Sequence, residues 1–236
     1  MLRSYLFILF FFPFTLAMSL VTISVSILTR NRRLVQGVVV TWARACLAVV
    51  GVRVVVEGVE RIPTHEPVIF MANHQSNLDI PVLTTALPVA AAWVAKEELF
   101  RYPLFGTAMR RAGYIPLNRS QGRQAIRSIN AAAETIQQGT SVTVFPEGTR
   151  SFDGVLLPFR RGVFILARRS GVPVVPLAIV GSIKLNRRGS LINRSGTIHL
   201  RVAHPIPAAD VCALPEAELM ERVRRAIADL LSRGDA

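Results

Sequence analysis

His74 and Asp79 stand five residues apart in Ala72-Asn73-His74-Gln75-Ser76-Asn77-Leu78-Asp79, directly after the apolar run Pro67 to Met71. A neutral imidazole can take a proton from a bound hydroxyl at physiological pH. A carboxylate beside it would hold the ring in one tautomer and stabilise the imidazolium that forms. The pair therefore supports proton abstraction from a hydroxyl without a nucleophile of the protein's own. Farther along, Phe145-Pro146-Glu147-Gly148-Thr149-Arg150-Ser151 follows a second strand-like run, Ser141 to Val144. Its arginine has the planar fork that matches the oxygens of an anion. Each block also has a plainer reading. Asp79 before Ile80-Pro81 reads as a helix N-cap, and Pro-Glu-Gly-Thr is good turn chemistry with Gly148 able to take positive φ. Ser76 offers a covalent alternative, but no Gly-x-Ser-x-Gly turn surrounds it.

These blocks need elements to carry them. A β-type run that ends in polar residues delivers them to the strand's carboxyl end, where open α/β sheets place their reacting groups. Strand-like runs occur at 53–56, 68–71, 91–95, 114–117, 141–145, 174–180 and 197–202. Helical patterns lie between or after them at 80–86, 121–138, 162–170 and 216–232, the second stopped by Gly139. This alternation predicts an α/β fold on one sheet.

Taken together, the two polar blocks resemble those of the glycerolipid acyltransferases, a family that includes bacterial 1-acylglycerol-3-phosphate acyltransferases. Asn73, His74 and Asp79 match the family's Asn-His-x-x-x-x-Asp block, and Phe145 to Ser151 matches its Phe-Pro-Glu-Gly-Thr-Arg-Ser block without a mismatch. Two weaker blocks also fit, Gly113 to Arg119 and Val172 to Pro176. The likeness runs over residues 55–205, in the family's order and spacing.

The resemblance implies a single mixed sheet flanked by helices, with a helical N-terminal pair that seats the protein on a membrane. It implies transfer of a fatty acyl group from acyl-CoA or acyl carrier protein to the sn-2 hydroxyl of lysophosphatidic acid, giving phosphatidic acid. Glycerol-3-phosphate, a lyso-ornithine lipid or another lysophospholipid are alternative acceptors within the family. His74 is then the base, Asp79 its orienter, and the thioester is a donor substrate with no resident cofactor. Acceptor contacts fall to Arg150 first and Arg119 second. Glu147 would bond a glycerol oxygen or fix Arg150, Gly148 would let the backbone approach the ligand, Thr149 would be a further substrate contact, and Lys96 would face the phosphate. Trp93, Leu99, Phe100, Tyr102, Leu104 and Phe105 are candidates for an acyl tunnel or for lipid contact.

Of 236 residues, 51% are hydrophobic, enough for one good core. The first 56 differ in character from the rest, so the expected division is a membrane-anchoring element over 1–56 and a catalytic domain over 57–236. Leu2 to Leu28 is long and apolar enough to reach across a bilayer, with Arg3 as its only charge and Pro13 placed to kink or split a helix. Three readings compete: a cleaved signal peptide, disfavoured by an apolar core longer than the usual roughly 7–15 residues; a spanning helix; and a re-entrant or interfacial hairpin. The next run, Leu34 to Val56, carries Arg44 and Arg53 and suits an interface. Arginines 30, 32 and 33 would keep the remainder cytoplasmic, at a cell inner membrane.

The net charge of +13 rests almost wholly on arginine, since lysine occurs only at Lys96 and Lys184. It favours anionic phospholipid surfaces. A nucleic-acid partner would require a basic stripe interleaved with aromatics, and there is none. Cys46 and Cys212 read as buried free thiols of a reducing compartment. His65, His74, His199 and His204 lack zinc-site spacing, so no metal is expected.

Overall fold

The computed structural model describes residues 2–118, 122–190 and 193–233. Two long helices come first, α1 (Leu2–Thr29) and α2 (Arg32–Val50), packed against each other. Asn31 caps α2, its Oδ1 accepting the Arg33 N–H at 2.9 Å. Gly51 ends it in the left-handed region at φ 77°. Leu9–Thr29 and Arg32–Val50 are long and apolar enough to cross a membrane. The outward face of α1 exposes Leu9, Phe12, Leu16 and Leu20, as no soluble core helix would. The pair is therefore a candidate membrane element. α1 runs unbroken through Pro13 rather than splitting there. Trp42 of α2 brackets the proline, with its ring 6.3 Å from Phe11 and its Nε1 donating to Thr15 Oγ1 at 3.0 Å.

A seven-stranded sheet follows, built from β1 (Val52–Glu57), β2 (Ile69–Ala72), β3 (Ala91–Lys96), β4 (Ile115–Leu117), β5 (Ser141–Val144), β6 (Val174–Val180) and β7 (Gly196–Val202). Its order is β1-β7-β6-β2-β5-β3-β4, all parallel pairings except β6 with β7. The mixed sheet agrees with expectation. The expected boundary after residue 56 falls inside β1, whose six residues pair with β7 throughout, so the sheet begins at Val52.

Side chains alternate across the sheet as the pleat requires. Ile69 and Met71 join one core, under α5 (Arg123–Gln137), α6 (Arg161–Ser170) and α9 (Glu216–Ser232). Phe70 and Ala72 join the other, beneath α2 and α3 (Asp79–Ala86). α9 shows the pattern that drives such docking, with Leu219, Val223, Ile227 and Leu230 buried on one stripe. Three short helices carry too little periodicity to be read beforehand: α4 (Phe105–Arg111), α7 (Ser182–Leu185) and α8 (Ala208–Ala213). Cys46 is buried as expected, whereas Cys212 is exposed because α8 is a surface turn.

Candidate active site

β2 and β5 are parallel neighbours in register, Ile69 opposite Val142 and Met71 opposite Val144. Their outgoing loops therefore leave the same sheet end side by side, which brings His74 against Phe145 to Arg150. Asn73 ties the first loop to the other neighbour, β6. Its Nδ2 donates to the Ile179 carbonyl at 3.0 Å and its Oδ1 accepts the Ile179 N–H at 2.7 Å.

His74 and Asp79 meet, with Nδ1 and Oδ2 2.8 Å apart. Asp79 is fully buried, and Oδ2 also accepts the N–H groups of Gln75 at 2.7 Å and Ser76 at 2.8 Å. Those two donors hold the carboxylate as an acceptor, so Nδ1 of a neutral His74 carries the proton and Nε2 is left as the basic nitrogen. The imidazole lies on the Phe145 ring, centroids 3.8 Å apart and planes 4° from parallel, which fixes the direction of Nε2. The N-cap reading of Asp79 fails: it is the first helical residue of α3, and its carboxylate turns back to the loop and His74. Ser76 serves the loop instead. Its Oγ accepts the Leu78 N–H at 3.1 Å and donates to Asn186 Oδ1 at 3.3 Å. It is fully buried and does not line the cavity described next.

A cavity of about 360 Å³ opens beside His74. His74, Lys96, Gly148, Thr149 and Arg150 form its polar end. Trp93, Leu99, Phe105 and Tyr114 line its apolar part. Of the six residues proposed for a tunnel, the other three stand apart: Phe100 is buried under the Arg110 guanidinium, and Tyr102 and Leu104 face outward. Sequence reasoning missed the far wall, which comes from the N-terminal helices through Met18, Ser19, Thr22 and Trp42. The available signal was the Thr15, Ser19, Thr22 series, polar residues at helical spacing in an otherwise apolar α1.

Arg150 donates from Nη1 to Asn77 Oδ1 at 2.6 Å, which joins the two loops across the cavity mouth. Burial, and then the charge of nearby Arg188, push its guanidinium below the ordinary arginine value, while Asp79 draws it up. Arg188 also donates to the Arg150 carbonyl at 2.8 Å. Lys96 ends β3, half-exposed, with Nζ 3.3 Å from Glu98. Gly148 takes φ 71°, a conformation that favours glycine. Arg119 lies outside the described residues.

Glu147 is placed differently from its expected role. It is buried, does not line the cavity and does not bond Arg150. Its Oε1 accepts the His74 backbone N–H at 2.7 Å and its Oε2 accepts the Leu157 N–H at 2.8 Å. Burial pushes its carboxyl up to about 7, and the Asp79 charge adds to this; the two N–H donors and Arg224 pull the other way. It braces the loop that carries His74. Among the described residues no His, Cys, Asp and Glu cluster could hold a metal ion.

A basic nitrogen, an arginine on the rim and an apolar cavity together suit deprotonation of an alcohol on an amphiphile. A family model described as Acyltransferase matches residues 53–180, more than half of the chain. The chain belongs to the acyltransferase family. A Brassica napus relative, the chloroplastic 1-acyl-sn-glycerol-3-phosphate acyltransferase BAT2, is 37% identical over 154 residues, covering 64% of this chain and 44% of the relative. The human 1-acyl-sn-glycerol-3-phosphate acyltransferase alpha is 34% identical over 178 residues, covering 75% and 63%. The chain spans about half of those relatives' lengths. The crystal structure of the 1-acyl-sn-glycerophosphate acyltransferase PlsC from Thermotoga maritima superposes with a TM-score of 0.82 at 29% identity. That match covers 100% of this chain and 97% of the other, so the fold is shared from the first helix to the last.

Proposed function

We propose that this acyltransferase moves a fatty acyl group from acyl-CoA or acyl carrier protein to the sn-2 hydroxyl of 1-acyl-glycerol-3-phosphate, giving phosphatidic acid. The observation that carries the reading is the His74–Asp79 pair at the polar end of an apolar cavity, with Arg150 on the same rim. His74 Nε2 takes the acceptor's proton as its oxygen attacks the thioester carbonyl. The thiolate leaves and recovers that proton from the imidazolium. No acyl-enzyme forms, and the thioester is already activated. Asp79 stabilises the imidazolium, Arg150 and Lys96 bind the phosphate, and the cavity shared with α1 and α2 holds acyl chain. The helical pair seats the enzyme on a cell inner membrane, and Arg30, Arg32 and Arg33 keep the sheet domain on the cytoplasmic side.

The test is acyl transfer from radiolabelled acyl-CoA and acyl carrier protein to 1-oleoyl-glycerol-3-phosphate in membranes. Wild type forms phosphatidic acid and His74→Ala, equally abundant, does not. Product from His74→Ala at the wild-type rate would remove the base. Product only with glycerol-3-phosphate or another lysolipid would replace the acceptor.

A further inference from the structure

Arg224 lies on α9, outside the cavity and outside both polar blocks. Its Nη1 donates to the Leu157 carbonyl at 2.8 Å and its Nη2 to the Leu156 carbonyl at 3.1 Å. The guanidinium also stands over the Phe159 ring, 5.6 Å from its centroid. One peptide therefore receives Arg224 on its carbonyl side while the neighbouring Leu157 N–H reaches Glu147 Oε2 at 2.8 Å. The other oxygen of Glu147 holds the His74 N–H at 2.7 Å. Every link from α9 to the catalytic loop is a hydrogen bond.

We propose that Arg224 is a positioning residue for His74, acting through the 156–157 peptide and the ionised Glu147. This rests on the acyl-transfer reading above for its kinetic consequences, though not for its geometry. The relay needs the carboxylate, because both of its oxygens accept from N–H groups. A protonated Glu147 would turn its own O–H toward one of those donors and release it. The charges around Glu147 are Asp79 from the β2–α3 side and Arg224 from α9, with the titratable ring of His74 beside Asp79. Arg224 is thus a cation that draws the Glu147 carboxyl down against its burial, as well as the clamp on its backbone partner.

Two measurements on the full chain separate this from a merely structural role. In the acyl-transfer assay across pH, Arg224→Met lowers kcat at neutral pH on the order of tenfold to a hundredfold, with KM for either substrate unchanged. Its acid limb also moves to higher pH. Arg224→Lys keeps the charge and restores the limb. In a Glu147→Gln background the Arg224→Met change moves no limb. In detergent-solubilised protein, the His74 backbone amide resonance follows the Glu147 carboxyl titration, and Arg224→Met moves that midpoint upward. An unchanged midpoint, or a loss of activity explained by lower abundance with the wild-type pH profile, would overturn the relay. Wild type without product but with the shifted amide midpoint would instead remove the acyl-transfer reading and leave the relay standing.

Discussion

Asp79→Asn isolates the charge of the dyad from its geometry. Asp79 Oδ2 accepts three donors, from His74, Gln75 and Ser76, while Oδ1 is buried without a partner. An asparagine can place its oxygen where Oδ2 stood and its NH2 in the position already unsatisfied, so the three bonds survive. What is lost is the negative charge facing the imidazolium during proton transfer. Two unit charges about 4 Å apart at an effective dielectric constant of about 20 interact by about 4 kcal/mol. At about 1.4 kcal/mol per decade, kcat falls about a thousandfold. KM for both substrates stays near wild type because neither carboxylate oxygen lines the cavity. The assay is initial-rate phosphatidic acid formation at saturating substrate, with a melting curve on the same preparation to show that the fold is kept. Asp79→Asn added to His74→Ala costs nothing further, since the two act as a unit. A loss below tenfold, or a multiplicative loss in the double variant, would refute the role given to Asp79.

Arg150→Met raises KM for the phosphate-bearing acceptor about tenfold to a hundredfold, one charged hydrogen bond being worth about 1.5–3 kcal/mol, and leaves KM for the donor unchanged. Phe145→Leu removes the stack under His74 and lowers kcat about threefold to tenfold, from an aromatic contact of about 0.5–1.5 kcal/mol. Glu147 has a folded-state carboxyl raised from 4.5 to about 7. Between those values the unfolded chain ionises first, so wild-type stability falls as pH rises through this window, by about 3 kcal/mol in all. Glu147→Gln lacks that component, and denaturant unfolding at pH 5 and pH 8 reads the difference. Met18→Trp fills the cavity from α1 and moves preference toward shorter acyl donors, which a competition assay with mixed chain lengths measures. An unchanged preference would mean that α1 anchors without shaping the site.

The dyad and Arg150 were legible because they sit in polar loops straight after apolar strands, and strand ends are where a parallel sheet exposes side chains. Glu147 lies between two such residues and was read with them. Its destination is set by residue 157, which returns from a later loop, and no local pattern announces a long-range partner. The same limit hid Arg224, whose helical stripe reads only as the docking face of α9. The sheet and its mixed character were legible, the latter through the family likeness. The cavity wall was not, because the polar Thr15, Ser19, Thr22 stripe of α1 gains meaning only once the sheet domain is packed against it. Leu104, at φ 59° before α4, marks a turn that no glycine signals, and so the Phe105–Arg111 helix went unread.

β1 pairs with β7, so residues 52–57 wait for residues 196–202. During synthesis at about 5–20 residues per second, that gap lasts on the order of ten seconds. α1 and α2 precede the sheet and leave the ribosome first, with an apolar surface that a bilayer can take up. The loops that carry His74 and Arg150 appear later and gain their neighbour β6 later still, so the apolar helical pair is complete well before the site it walls.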